Sequence, residues 1–374
     1  MTPHQNDIKS RDLSSSKDSR PKKSKALKIF TIVSLVIISI LVIIAIVLTV
    51  LLIKGKKAVL EDNKNADENI QVPASFRADT DTDNAVPQGR YVYYDGKKYQ
   101  YNDKVTTVLF AGIDKRNYEH EEGVFGTAGQ ADCIFVMALN TETGDYKLMA
   151  VSRDTMCDVN TYDENGKYAG TEKMQICLSH GYGDGKEESC ENLKRSVSRV
   201  FFGIPVNSYV AVDLDVISIL NEQVGGVEVT VNEDLSGRDP ALYEGANITL
   251  DGTQAEIFVR SRNIYGDENQ NNLRMERQKT YLTSFIQKTL KMTKENMSVP
   301  LNMYNSISDY MVTDVDAAMV TYYTGVFLKS GFSSDKNLIK VPGKTVMGEQ
   351  YAEYYTDTDE FFKIILDMYY TEVK

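Results

Sequence analysis

Apolar positions along this chain fall into distinct textures. Ile29 to Ile53 is one uncharged run built almost wholly of Ile, Leu, Val and Ala. At 1.5 Å per residue it spans roughly 38 Å, enough to cross a hydrocarbon core of about 30 Å with some tilt. A removed leader has a shorter apolar region followed by a small-residue cleavage site, whereas Lys54-Gly55-Lys56-Lys57 follows here. The run predicts one transmembrane helix over 29–53. Residues 1–28 are polar, Ser-rich and charged, a composition that stays disordered. Residues 54–90 are largely acidic, polar and Pro-containing, and read as a stalk.

From Tyr91 the texture is that of a folded body, 91–374. Two aromatic runs flank Asp95-Gly96, a hairpin signal because both central residues of a type I′ turn need positive φ. An apolar run of buried-strand type follows at Thr106–Ile113, a second apolar strand at Cys133–Asn140 and a third strand at Tyr146–Ser152. Helical spacing takes over at Ser189–Phe202 and Asp215–Gln223, with strand-like segments at Tyr209–Val212 and Val227–Val231. Ile257-Phe258-Val259 reads as a further strand, and Leu273–Met292 as a long amphipathic helix. Helices around Val315–Leu328 and Asp359–Tyr370 and a strand at Leu338–Val341 complete the chain. Strands and helices alternate over about 280 residues without a repeat, which predicts a single α/β domain.

Charged residues gather at the ends of these apolar runs. Asp114 and Arg116 follow one strand, Asp132 precedes the next, and Arg153-Asp154 follow the third. In α/β sheets, sites form outside strand ends. Arg260 and Arg262 sit at alternate positions after Val259, so a strand there would send both guanidinium groups from one surface. Arg274, Arg277 and Gln278 lie on one face of the following helix. Arginines converging in this way repel each other unless an anion sits between them, and their planar forks suit phosphate or carboxylate. Arg277 is also read as a solvent-facing or bracing residue.

Charge sharpens the picture. Eight Lys/Arg against three Asp in residues 1–28, with Lys54, Lys56 and Lys57, leave the remainder of the chain at −19 within a total of −11. The Lys/Arg excess before the apolar run predicts a cytoplasmic N-terminus and an external body. An acidic body lacks the basic footprint of a nucleic-acid binder. The four cysteines include no CxxC, and His4, His120 and His180 are the only histidines, which argues against a zinc site. Cys177 and Cys190 flank the polar loop His180–Glu188 and predict a disulfide that closes it; Cys133 and Cys157 are left as a second pair or as buried thiols.

The strand-end motifs form an ordered series: Gly112-Ile113-Asp114-Lys115-Arg116, Gln130-Ala131-Asp132, Ser152-Arg153-Asp154-Thr155, Lys173-Met174-Gln175, Gly203-Ile204-Pro205, Val224-Gly225-Gly226-Val227, Val259-Arg260-Ser261-Arg262 and Arg274-Met275-Glu276-Arg277-Gln278. From about Thr106 to Leu290 this series resembles the LytR–CpsA–Psr family of bacterial cell-envelope proteins, with 291–374 as a C-terminal extension. The resemblance implies an α-β-α sandwich with a central mixed sheet and an apolar tunnel for a prenyl chain. It implies an external transferase that moves a teichoic acid, capsule or similar glycopolymer from polyprenyl pyrophosphate to the 6-hydroxyl of muramic acid in peptidoglycan. Magnesium, or manganese in its place, would be held by Asp114 and Asp132. Pyrophosphate would be held by Arg116, Arg153, Lys173, Arg260, Arg262, Arg274 and Gln278. The chain departs from the family at Asn271-Asn272-Leu273, where an Asp and a Gly often precede the aligned arginine. It departs again at Cys133 and Cys157, where Thr is more usual, a paired change that suits a disulfide.

The residues make chemical sense without the family. Breaking a pyrophosphate diester needs charge neutralisation more than acid–base work, and magnesium typically takes one or two carboxylates plus substrate phosphate. No Ser–His or Cys–His arrangement points to a covalent intermediate, and Asp154 is the nearest candidate for a base. Two other readings stay open: a binding or regulatory protein without transfer activity, and a pyrophosphatase that only hydrolyses the carrier lipid.

Overall fold

Asp95 and Gly96 both take positive φ, 50° and 71°, so the aromatic runs fold back as the hairpin β1 (Tyr91–Tyr94) and β2 (Lys97–Tyr101). The computed structural model describes residues 49–59, 70–77, 89–116, 127–163, 165–261 and 270–373. The expected tail and most of the expected transmembrane segment lie outside these. Among the described residues no helix is long and apolar enough to cross a membrane.

The three longest apolar runs pair side by side as β3 (Val105–Ile113), β4 (Ala131–Asn140) and β5 (Tyr146–Val151). β4 runs antiparallel to both neighbours. A hairpin of β6 (Met156–Tyr162) and β7 (Tyr168–Gln175) follows. β8 (Ser208–Val212) adds to β3 in parallel. β9 (Val227–Thr230) and β10 (Asn247–Leu250) make a separate antiparallel pair. β11 (Met311–Thr313) and β12 (Leu338–Lys340) close the edges of the central sheet, whose order is β11-β8-β3-β4-β5-β12. A last hairpin, β13 (Gly343–Met347) with β14 (Ala352–Thr356), precedes β15 (Tyr370–Glu372) on β2.

Helices cover both faces of the sheet, as alternating burial demands. They are α1 (residues 49–59), α2 (Glu187–Val200), α3 (Asp215–Gln223), α4 (Gly252–Arg260), α5 (Gln270–Glu295), α6 (Val299–Ser306), α7 (Ala317–Phe327), α8 (Ser334–Asn337) and α9 (Thr358–Tyr369). On one face Leu109, Ile113 and Val136 pack with Leu193 of α2 and with Phe361 and Ile365 of α9. On the other, Val108, Met137 and Leu148 pack with Met319, Tyr322 and Val326 of α7, and Leu282 and Ile286 of α5 join them. A third cluster gathers β9, β10, α3 and α4 around Val227, Leu250, Ala255 and Phe258. The expected α-β-α arrangement with a mixed central sheet is therefore present.

Four expectations change. Ile257-Phe258-Val259 is the end of helix α4, not a strand. Asp251 caps it through a reciprocal box with Gln254, and Ala255, Phe258 and Val259 are buried at helical spacing. Arg260 therefore leaves a helix end, and Arg262 lies outside the described residues. The β6–β7 hairpin had no strand signal, because most of the β7 side chains are exposed and polar. Within the expected stalk, Ile70, Val72 and Phe76 are buried in the first core cluster. Finally, all four cysteines are free, so neither Cys177–Cys190 nor Cys133–Cys157 is a disulfide. The loop at 182–188 is closed instead by hydrogen bonds. Asp184 accepts from the backbone N–H groups of Lys186 and Glu188, and Ser189 Oγ accepts from Gly185 N at 2.9 Å. Cys190 is packed into the core beside Leu193, and Cys177 lies in a 3-10 turn.

Arg277 is one of the largest fully buried side chains, neither solvent-facing nor in the cavity described below. Its Nε donates to Phe258 O at 2.8 Å, its Nη2 to Ser261 O, and its Nη1 pairs with Glu233. It thus satisfies carbonyls left open at the C-terminal end of α4 and fastens α5 to them. Removing one partner of a buried ion pair leaves an uncompensated charge. Glu233→Ala is therefore expected to lower the unfolding free energy by about 3 kcal/mol, read from urea denaturation. Alkylation after unfolding without reductant should label all four cysteines, counted by intact mass.

Candidate active site

β3 and β5 are both antiparallel to β4, so the C-terminal ends of β3 and β5 and the start of β4 share one edge of the sheet. β8, parallel to β3, ends there too. This topology brings Asp114, Asp132 and Arg153 together from three segments. They form the rim of a cavity of about 1050 Å³ between the sheet and α3, α4 and α5. Phe110, Phe135, Val210, Ile217, Tyr281 and Leu282 make an apolar wall, while Arg260, Arg274 and Gln278 join the charged rim.

The rim groups hold each other. Arg153 Nη1 pairs with Asp132, and its Nη2 donates to Gln130 Oε1 at 2.6 Å. Arg274, 4% exposed, reaches the other oxygen of Asp132 at 3.6 Å. Gln130 N donates to Asp114 Oδ1 at 2.6 Å, and Asp114 N returns to Gln130 O at 3.0 Å. Gln278 Nε2 lies 3.3 Å from Val259 O, tying α5 to α4. Arg116 pairs with Asp215 and, at 2.6 Å, with Glu256, which also takes Arg260.

Three expected site residues do not line the cavity: Arg116, held by Asp215 and Glu256, Lys173 and Asp154. Lys173 is on the exposed side of β7, paired with Asp158 at 3.3 Å, and does not line the cavity. Asp154 is buried behind Arg153. Its Oδ1 accepts from Gln175 Nε2 at 3.1 Å and lies 3.6 Å from Arg153 Nε, so it is placed to orient that arginine and not to face the cavity as a base. Polar cavity residues that the sequence does not single out include Gln130, Asp213, Arg238 and Glu256. Gln130 lay inside a quoted motif, but an uncharged amide carries no signal until its partners are known.

The turn before β4 is backbone-limited. Gly129 has φ +90°, and an added Cβ would lie 2.6 Å from Lys115 Cγ and 2.9 Å from Ile113 Cγ2. The carbonyl of Gly129 faces His180 Nδ1 at 3.1 Å, and His180 is fully buried. Burial pushes its imidazole below the ordinary pKa, with the Gly129 contact opposing. The native ring thus stays neutral where the unfolded one, near pH 6.5, takes a proton.

Asp114 and Asp132 flank the paired ends of β3 and β4, and both line the cavity. Among the described residues no group of three or more His, Cys, Asp or Glu gathers to hold a metal ion. Two hard oxygen donors that line one cavity nonetheless fit magnesium, which typically takes one or two carboxylates and keeps its remaining positions for water and other oxygen ligands.

A large, mainly apolar cavity lies under a rim of arginines and carboxylates, on a mixed sheet between helices, in an α/β protein. The chain belongs to the LytR_cpsA_psr family, whose model matches residues 59–366. It is 28% identical over 214 residues to the polyisoprenyl-teichoic acid–peptidoglycan teichoic acid transferase TagU of Enterococcus faecalis V583, across 57% of this chain and 63% of that relative. It is 26% identical over 191 residues to the corresponding transferase TagV of Bacillus subtilis 168, across 49% and 43%. The chain thus spans less than two thirds of these curated relatives. Its fold is similar to the crystal structure of B. subtilis TagV, with TM-score 0.55, 22% identity and coverage of 71% of this chain and 96% of that one. It is also similar to a structure of TagT bound to LI-WTA, with TM-score 0.52, 17% identity and coverage of 71% and 89%.

Because the unfolded chain binds more protons below pH 6.5, His180 contributes stability that is lost as pH falls through that value. Thermal unfolding between pH 7.5 and 5 should show this loss. His180→Asn, which keeps a donor for Gly129, should flatten the slope by up to one proton.

Proposed function

We propose that this protein is a membrane-anchored, extracellular phosphotransferase that moves a cell-wall glycopolymer from polyprenyl pyrophosphate to peptidoglycan. The carrying observation is the cavity: apolar along the sheet, and closed at the strand ends by Arg153, Arg260 and Arg274 beside Asp114 and Asp132. An apolar wall suits a prenyl chain, and fixed guanidinium groups suit the pyrophosphate. Family membership and the names of the relatives support the same reading. The apolar run 29–53 and the charge bias before it support an anchor with the body outside.

In the reaction, an acceptor hydroxyl oxygen bonds to the phosphorus that carries the glycopolymer and gives up its proton to solvent. The bond from that phosphorus to the bridging oxygen breaks, and polyprenyl phosphate leaves. Arg153 and Arg274, each held by Asp132, present donors that need not reorganise as charge builds on the nonbridging and leaving oxygens. Asp114 and Asp132 would hold magnesium, which when bound supplies further neutralisation of phosphate charge. The muramic acid 6-hydroxyl is the acceptor in this proposal.

The test uses the full chain in detergent with a polyprenyl-pyrophosphate-linked glycopolymer, magnesium and peptidoglycan. Polymer should become covalently retained on peptidoglycan, and Arg153→Ala or Arg260→Ala should slow retention by about 10²-fold or more. Asp114→Ala and chelation of divalent metal should act in the same direction. Released polymer without retention would identify a hydrolase. Unchanged lipid binding in both arginine variants, with no turnover, would remove both enzymatic readings.

A further inference from the structure

Glu256 is out of place in an anion site. It lines the cavity, yet it carries the charge of the proposed ligand. Its Oε1 accepts from Arg116 Nη2 at 2.6 Å and from Arg260 Nη1. The two arginines come from different segments, one beyond β3 and one at the end of α4, and this single carboxylate joins them. Asp215, the first residue of α3, takes the other terminal nitrogen of Arg116. Two guanidinium groups and two carboxylates make the cluster formally neutral. Glu256 and Arg260 line the cavity and Arg116 stands outside its lining; the Glu256 side chain is 21% exposed and the two arginine side chains 45%, so the contacts are within reach of solvent.

Neutrality has a consequence for selectivity. Free arginines at a site beside a membrane would bind any phosphate, including the phosphodiester head groups of ordinary lipids. With Glu256 in place, a ligand that uses the same N–H groups must displace a carboxylate. A monophosphate exchanges one anionic group for another and gains little. A pyrophosphate brings a second phosphoryl group, which can add contacts to Arg153 and Arg274, lining arginines held by Asp132 and not by Glu256, while it displaces Glu256.

We propose that Glu256 is a specificity-determining residue, an internal counter-anion that makes the site choose pyrophosphate over monophosphate. The proposal rests on the pyrophosphate reading of the cavity and adds what discriminates within it. When the leaving polyprenyl phosphate holds only one phosphoryl group, Glu256 retakes Arg116 and Arg260 and favours its departure.

Binding of farnesyl pyrophosphate and farnesyl monophosphate to the full chain in detergent tests this, because the two share one tail. Glu256→Gln keeps an acceptor oxygen but removes the charge. It should tighten monophosphate binding by about tenfold, with a smaller change for pyrophosphate, so the preference narrows. Asp215→Asn, which relieves Arg116 alone, should move the ratio in the same direction by less. A thermal melt confirms that each variant is folded. Weaker binding of both ligands to Glu256→Gln would mean that Glu256 only positions the arginines, and an unchanged ratio would mean that it does not discriminate; either overturns the proposal. Wild-type pyrophosphate affinity in Arg153→Ala would instead reject the pyrophosphate site itself, whatever Glu256 does.

Discussion

The antiparallel placement of β4 between β3 and β5 is the constraint on which the site depends. It puts two strand C-termini and one strand N-terminus on the same edge, so that Asp114, Asp132 and Arg153 meet although up to 39 positions separate them. The pairing register is held by burial on both faces. A slip of one residue would send Val108 and Leu109 to opposite cores and displace every charged residue at the edge. Two packed helical layers thus stabilise the sheet and, through it, the distances among the rim groups.

At that edge the charges are balanced in pairs. Asp132 takes two arginines and Glu256 takes two, so Arg153, Arg274, Arg116 and Arg260 do not depend on solvent alone for their positions. A long arginine side chain loses substantial rotamer freedom when it binds a ligand. Arginines already held by carboxylates lose less at that moment, but they bring less net positive charge. An anion with several oxygens spread over several donors, such as the pyrophosphate of the proposed function, would suit such an arrangement best. Arg277, three residues beyond Arg274 on α5, shows the contrast. There the guanidinium faces α4 carbonyls and Glu233, and its role is to hold the helix that presents Arg274 and Gln278.

Beneath the rim, the turn at Gly129 joins backbone geometry to chemistry. The positive φ of Gly129 lets Gln130 reach Asp114 with its N–H and Arg153 with its side-chain oxygen. His180 supports that turn from the core as a neutral donor. Cys177 approaches Gln130 Oε1 at 3.8 Å as a thiol. Asp184 and Ser189 close the loop that a disulfide was expected to close.

Much was legible from residue order alone. The long apolar runs could only be buried strands, the helical spacings of α2, α5 and α9 were strong, and the strand-end motifs carried both the family and most of the rim: Asp114, Asp132, Arg153, Arg260, Arg274 and Gln278. Those signals are local, set by side-chain periodicity and residue type. What only the tertiary structure decided depends on partners distant in the chain. Ile257-Phe258-Val259 has the composition of a strand, but a capping box and a core on one side make it a helix. Arg277 and Arg274 look alike in sequence and part company because one faces Phe258 O and Glu233 and the other the cavity. Lys173 and Asp154 lost their expected places because the β6–β7 hairpin turns one outward and Gln175 holds the other behind Arg153. Glu256 carried no signal in sequence, since a lone glutamate before a short apolar run is unremarked until two arginines are found on it.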